Sequence, residues 1–382
     1  MVVVIYEDTV DNFYPLINLY PQFNLRIGMK TIAENSALYL PRQKIDFIAR
    51  DVFQLKKIHP TPPAIYLSSR FLLTDTIALS KHDAKLCVKS ENQEFVGFIK
   101  QRPPFPRTLT EIAKTLKTIK KSQMVSGFVL HKLWDVIRYN ESMLITQFKK
   151  HTGKSRNINV IGNRKNLFVA RDATIHNPVS IDVTDGPVYI DKNAVIRAFS
   201  TIVGPSYIGP GTIIDRAKVV KSTIGPHCRI AGEVETSIFQ GYVNKHHKGF
   251  IGHSFIGEWV NLGALTTNSD LKNNYSPIRI KIGKRNFDTG MIKLGCFIAD
   301  HTKTGIGTLI PTGAVISSFV NFFAGGMMPS YVPSFTWLTT EKMVKYDLKK
   351  AIATAKIVMK RRNISMTKQY EHVIRTHYKN YT

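Results

Sequence analysis

Aliphatic residues return at a step of six through the second half of this chain. They stand at Val169, Ile175 and Ile181, then at Ile190, Ile196, Ile202, Ile208, Ile214 and Val220. A third series reads Ile292, Ile298, Thr304, Ile310, Ile316 and Phe322, with one polar member. Neither an α-helix nor a two-period strand repeats at that interval. A parallel β-helix of hexapeptides does, because each short strand sends one aliphatic side chain into a stacked core. Glycine follows an aliphatic residue at Val203-Gly204, Ile208-Gly209, Ile224-Gly225, Ile251-Gly252, Ile256-Gly257 and Leu262-Gly263. Corners between flat strands call for small residues or unusual dihedrals.

Before this repeat the pattern changes. Val2–Tyr6 and Ala64–Leu67 read as buried strands, and Lys85–Val88 and Phe95–Ile99 as a strand pair. Helices are predicted over Leu109–Ile119 and Phe128–Tyr139, the second with Leu130, Leu133, Trp134 and Ile137 at helical spacing. Strands alternating with helices predict a Rossmann-like α/β layer. His151–Asn159 reads as a polar link, and Asn268–Pro277 as an excursion from the β-helix. From Thr340 onward an apolar stripe of Val344, Leu348, Ala351, Ala355, Val358 and Met359 predicts a helical tail that packs on its own subunit or a neighbour. The expected domains are therefore 1–155, 158–330 and 338–382.

Composition alters this picture in two places. The chain has 382 residues, enough for two or three domains, and a net charge of +26. Polyanion binding and phosphorylated substrates both fit that charge, as does a basic bias spread over solvated faces. Apart from Lys360-Arg361-Arg362 the cations are scattered, and no nucleic-acid motif accompanies them. Neither nucleic acid nor membrane is an expected partner: no run of eighteen apolar residues occurs, and Val2–Ile5 is too short for a secretory core. Cys87, Cys228 and Cys296 are far apart, which fits a reducing cytoplasm and neither a disulfide nor a zinc ribbon.

The densest polar cluster is Asn244–Phe250 with Gly252-His253, followed by Glu258–Ala264 and Thr266–Tyr275. A histidine near cations has its proton affinity lowered and can act as a neutral base near pH 7. In the N-terminal part, Arg26 and Lys30 bracket Gly28 and could hold phosphates, without a Walker or Gly-x-Gly-x-x-Gly pattern.

Several of these stretches resemble one enzyme family. Gly232-Glu233-Val234, Gly241-Tyr242, Asn244-Lys245, Gly252-His253-Ser254, Gly257–Ala264 and Leu271–Tyr275 look like its hexapeptide domain. Asp288-Thr289-Gly290, Gly295–Ile298, Asp300–Thr304, Ile310–Gly313 and Pro329–Trp337 continue the likeness, as does the tail with Met359–Arg362. The family is the alternative, Bacteroidetes-type form of the bifunctional N-acetylglucosamine-1-phosphate uridyltransferase and glucosamine-1-phosphate N-acetyltransferase. The resemblance implies a left-handed β-helix, a homotrimer, and acetyl-coenzyme A bound between neighbouring prisms. It puts His247 at the acetyl-transfer base and Asn261 where an asparagine orients sugar or acetyl. Lys245, Lys272 and Asn268 would bind the sugar 1-phosphate, and Arg26, Gly28 and Lys30 the nucleotide. UTP would bring Mg2+ if the N-terminal domain is active; no protein metal site is expected.

Some positions depart from the family. Lys248 follows the expected base, and Leu265 replaces a small or polar residue. Glu235 and Phe250 stand where the better-known bifunctional enzyme has a lysine and a tyrosine. Leu19-Tyr20-Pro21 replaces Thr-Arg-Pro, and Ser68-Ser69-Arg70 stands at the strand end where related transferases carry a metal-binding aspartate. Two other readings remain open on the residues alone. One is a γ-carbonic-anhydrase-like metal enzyme drawing on His227, His246, His247, His253 and His301, although adjacent strand residues point to opposite faces. The other is a non-catalytic trimeric scaffold for polyanions.

Overall fold

A computed structural model describes residues 1–89, 93–149, 158–339 and 341–381. The expected polar link falls mostly on 151–157, outside the described residues. Two compact units are present, one of residues 1–25 with 30–135 and the other of 26–29 with 136–382.

The first unit is built on a six-stranded mixed sheet. Val2–Tyr6 lies at its interior, parallel to Lys44–Ile48 on one side and to Ala64–Ser68 on the other. All five residues of Val2–Tyr6 are buried, as an uninterrupted Val/Ile run demands of a strand covered on both faces. The sheet then turns antiparallel at Glu94–Lys100, so it is less purely parallel than the Rossmann-like pattern expected. The helix Leu109–Thr118 lies where the periodicity puts it. The second predicted helix does not begin at Phe128. Phe128 pairs with Leu72 in a short antiparallel ribbon, and the helix runs Asp135–Phe148.

The second unit is a parallel β-solenoid, as the step of six predicts. One face is a nine-stranded sheet from Leu167–Val169 to Tyr331–Val332, parallel at every step. Val169, Ile190, Ile196, Ile202, Ile208, Ile214, Ile298 and Ile316 stack in one buried core. Each such side chain contributes about 1.5–3 kcal/mol through burial. Val220 and Ile292 of the expected series fall outside it, and Ile175 is only partly buried against it. Ile196 and Ile202, six apart, pair with Ile214 and Val219, five apart, so that Val219 rather than Val220 enters the core. Ile292 is exposed, because it closes an excursion longer than expected that contains the hairpin Arg279–Ile282 with Arg285–Asp288.

One corner of the solenoid carries aromatic rings where glycine would be the least strained choice. His227, Tyr242, Trp259, His301, Phe319 and Phe335 all adopt positive φ, between 52° and 61°. Their rings stack coil upon coil, with centroids 4.1 Å apart for Tyr242–Trp259 and 4.7 Å for His301–Phe319. A left-handed non-glycine residue costs roughly 1–2 kcal/mol, and an aromatic pair returns about 0.5–1.5 kcal/mol beyond its area. The ladder thus offsets its own backbone strain.

The tail holds two helices, Leu348–Lys360 and Lys368–Tyr381, rather than one stripe from 340. Asp347 caps the first by accepting from the Lys350 amide, and Ala351, Ile352, Ala355 and Met359 are its buried face. Val344, expected in that stripe, lies instead in a strand paired with Thr336–Leu338 and is exposed.

Candidate functional site

A cavity of 460 Å³ opens on the second unit between the solenoid and the end of the helix Leu348–Lys360. Tyr242 and Trp259 from the aromatic corner form one wall. Among the described residues four cations line it, Arg229, Lys303, Arg361 and Arg362, and no carboxylate does. The stacking of coils brings Asn244, Asn261 and Lys303 into adjacent register across that face. The Asn244 Nδ2 donates to Asn261 Oδ1 at 2.8 Å.

Two of these cations, Arg229 and Lys303, have their proton affinity lowered. Burial lowers the proton affinity of Arg229, and the neighbouring Arg362 lowers it further. Burial pushes the Lys303 ammonium down to about 8. The Arg362 Nε is buried without a hydrogen-bond partner among the described residues. Repelling, partly desolvated cations without a counter-charge favour an anionic ligand.

His246 also lines this cavity. Its Nε2 lies 4.0 Å from Asp215 Oδ2, while its Nδ1 is buried and unpartnered among the described residues. His247 is exposed on the corner where the chain turns from the strand Asn244–Lys245 to the strand Phe250–Gly252. The two rings meet edge to face at 5.8 Å. They sit in a turn rather than in a strand, so strict alternation does not govern them.

Of the residues expected to bind substrate, only Asn261 lines the cavity. Lys245 is a correction. It is 2% exposed, and its Nζ donates to the carbonyls of Ala231 (2.7 Å), Gly249 (2.7 Å) and His247 (3.3 Å). An ammonium has three protons, and here all three are used internally. Asn268 is likewise buried, exchanging bonds with the amide (2.8 Å) and carbonyl (3.0 Å) of Gly252. Lys272 closes its own loop by donating to the Pro277 carbonyl at 2.7 Å.

The expected nucleotide set is divided between the two units. Arg26 and Gly28 belong with the solenoid, and Lys30 with the first unit. Arg26 is buried, with its amide bonded to Gln240 Oε1 at 2.9 Å and its guanidinium to the Met29 carbonyl at 2.6 Å. The Gly28 amide donates to Asn140 Oδ1 at 2.8 Å, and a Cβ there would meet Gln147 at 2.5 Å. These contacts make 26–29 a structural tie, a different use from the phosphate role the motif suggested.

The carboxylates at the strand end of the first unit, Glu7 and Asp8, are not free of protein partners. Glu7 accepts from the Arg50 guanidinium at 2.9 Å and from the amides of Gln22 and Arg50. Asp8 accepts from Arg70 Nε at 2.8 Å and from Ser68 Oγ at 2.9 Å. Both carboxylates are therefore held by guanidinium groups. Nor do the histidines gather: His227 and His301 belong to the aromatic ladder, and His253 pairs with Asp270. Among the described residues no group of three His, Cys, Asp or Glu side chains could hold a metal ion.

Sequence reasoning missed Arg229, Lys303 and the role of His246. Arg361 and Arg362 were visible as a basic cluster, but only the helix packing brings them onto the solenoid face.

Residues 3–156 match the family model described as sugar nucleotidyl transferase. A bifunctional sugar-1-phosphate nucleotidylyltransferase/acetyltransferase of Sulfurisphaera tokodaii is 30% identical over 155 residues, covering 37% of this chain and 37% of its own. The chain thus spans little more than a third of that relative. A putative uncharacterized acetyltransferase of Escherichia coli, YaiX, is 24% identical over 187 residues, covering 46% of this chain and 78% of its own. A hexapeptide transferase family protein from Anaplasma phagocytophilum aligns with 56% of this chain and 92% of its own at 16% identity, with a TM-score of 0.22, too low to carry an argument.

Proposed function

We propose that this chain, in which a sugar nucleotidyl transferase domain precedes a hexapeptide β-solenoid, makes an amino-sugar nucleotide in two steps. The solenoid transfers acetyl from acetyl-coenzyme A to an aminosugar 1-phosphate, glucosamine 1-phosphate in the first instance. The N-terminal domain joins the acetylated sugar phosphate to a uridylyl group from UTP. The observation that carries this reading is the cavity on the solenoid face, lined among the described residues by four cations and no carboxylate. Both substrates of acetyl transfer carry phosphate, and guanidinium groups are its preferred partners.

In this account His247 takes the proton from the attacking amine. Its exposure on the corner leaves the ring free to reach a ligand. A positioned base of this kind is worth roughly 10²–10⁴ in rate. Asn261, fixed by Asn244, orients the ligand beside it.

The acting form is a homotrimer. Leu265, Ile306, Leu309, Phe323 and Met327 are exposed on successive coils, with Leu309 and Met327 in register. A contiguous apolar edge of this kind fits a second copy of the chain. No described helix is long and apolar enough to cross a membrane, and we place the enzyme in the cytoplasm, where its substrates are made.

Thiol release from acetyl-coenzyme A with a panel of aminosugar 1-phosphates tests the first step. Pyrophosphate release from UTP with the acetylated products tests the second. Turnover with an aminosugar phosphate is expected; no thiol release with any member of the panel contradicts the reading.

A further inference from the structure

One cation of the cavity differs from the other three in kind. Arg229, Arg361 and Arg362 carry guanidinium groups, which keep their charge at any pH the folded chain meets. Lys303 carries an ammonium, a compact charge whose proton is lost more readily when burial leaves it short of partners. Three charges of the cavity are therefore permanent and one is removable.

The stacking of coils gives Lys303 few partners. Arg229, Asn244, Asn261, Lys303 and Asn321 form one register column, a residue to each coil. Both neighbours of Lys303 in that column, Asn261 and Asn321, are neutral amides. At the usual strand spacing Arg229 stands three coils away, about 14 Å along the column. An ammonium has three protons to place. The Lys303 Nζ donates to a single group among the described residues, the His301 carbonyl at 3.0 Å. Lys245, which does not line the cavity, shows the satisfied case in the same solenoid, with three carbonyls on its Nζ.

No group around Lys303 fixes its proton. Arg361 and Arg362 face the cavity from the end of the helix Leu348–Lys360. His246 and Tyr242 also line it, and burial raises the Tyr242 phenol, which keeps it neutral. The His301 ring, stacked on Phe319 in the aromatic ladder, is kept neutral by burial and by the Lys303 charge. Asp215 lies 4.0 Å from His246 Nε2 but answers to Arg197 at 3.0 Å and to Arg216 at 3.3 Å. Burial of the ammonium, rather than a neighbouring charge, is what pushes Lys303 down to about 8.

We propose that Lys303 is a proton-coupled phosphate contact: an anion entering the cavity pairs with its ammonium, and at alkaline pH each binding event draws one proton from solvent onto the Nζ. This assignment rests on the reading of the cavity as a phosphate site. A neutral amine, a proton from the buffer and a phosphate dianion give an ammonium–phosphate pair, and no covalent bond to the ligand forms. The sign follows from linkage. The anion restores the proton affinity that burial removed, so phosphate binds best while the empty site is still protonated. Above about pH 8 affinity falls with rising pH, until the occupied site titrates as well.

Calorimetry on the full chain tests this with two probes whose phosphates are already ionised, since a phosphate monoester loses its second proton at about pH 6. N-acetylglucosamine 1-phosphate stands for the sugar phosphate and has no amine. Adenosine 3′,5′-bisphosphate stands for the phosphate-bearing end of coenzyme A and has no thiol. For the probe that occupies the cavity, Kd should rise by roughly tenfold or more from pH 7.5 to pH 9.5. Heats measured at pH 9 in two buffers of different ionisation enthalpy should show uptake of about one proton. Lys303→Arg should abolish the uptake and hold affinity nearly level across that range. Lys303→Met should bind weakly at both pH values, and His246→Gln should keep the uptake. Binding without uptake in the wild-type chain, uptake that persists in Lys303→Arg, or uptake that vanishes in His246→Gln overturns the assignment and leaves the phosphate site standing. A wild-type chain that binds neither probe at pH 7.5 overturns the phosphate-site reading itself.

Discussion

The Lys245 ammonium and the Gly249 carbonyl are joined at 2.7 Å across the turn that carries His247. The same Nζ reaches the Ala231 carbonyl of the coil before at 2.7 Å. Burial pushes this lysine down to about 8, so it still carries all three protons at pH 7. The turn bearing the proposed base is therefore braced from inside.

Lys245→Met keeps the aliphatic stem and removes the charged donor from those carbonyls, although the Gly249 carbonyl still accepts from the Glu233 amide at 3.1 Å. Stability should fall by roughly 1–3 kcal/mol, and acetyl transfer should fall with it as the turn loosens. Urea unfolding followed by tryptophan fluorescence checks the first part. An unchanged midpoint would show that the brace contributes nothing.

Glu258 predicts a pH dependence. Burial pushes its carboxyl up to about 7 from 4.5, with Arg26 pulling the other way. Between those values the folded chain holds a proton that the unfolded chain has released. Its contribution to stability is thus lost as pH rises through that window. Glu258→Gln removes the slope, so its Tm relative to wild type should rise between pH 4.5 and pH 7.5. A difference that stays constant would contradict the shift.

The arginines of the cavity predict an anion requirement. With Arg361 and Arg362 both changed to alanine, affinity for coenzyme A or for the sugar phosphate should drop by about tenfold or more per arginine. Calorimetry with each ligand separately shows which of the two the cavity serves. Undiminished binding of both would remove the cavity from the site.

The apolar edge predicts the assembly. Met327→Lys with Leu309→Glu places charge where Leu309 and Met327 lie in register. Light scattering at micromolar concentration should show a trimer for wild type and smaller species for the variant. A wild-type monomer would remove the basis for a shared site.

The solenoid was legible because its signal is a period, kept from Val169 to Ile181 and again from Ile190 to Ile214. The period could not report where it fails: Val219 replaces Val220 because the step from Ile214 is one residue shorter than on the coil before. The site was less legible for a different reason. Lys245 and Asn268 look like ligand groups by residue type, yet they face inward and are spent on carbonyls and amides. Arg229 and Lys303 meet Arg361 only through coil stacking and helix docking, which leave no local pattern. The pair His253 and Asp270 is separated by 17 positions, one coil apart, which leaves no local pattern.

The role of His247 is tested most directly by steady-state thiol release from acetyl-coenzyme A with glucosamine 1-phosphate at pH 7.5. The account predicts that His247→Ala lowers kcat by roughly 10²–10⁴ with KM nearly unchanged. His246→Ala, whose ring lines the cavity, should instead act mainly on KM. A His247→Ala enzyme that turns over at the wild-type rate would contradict the account.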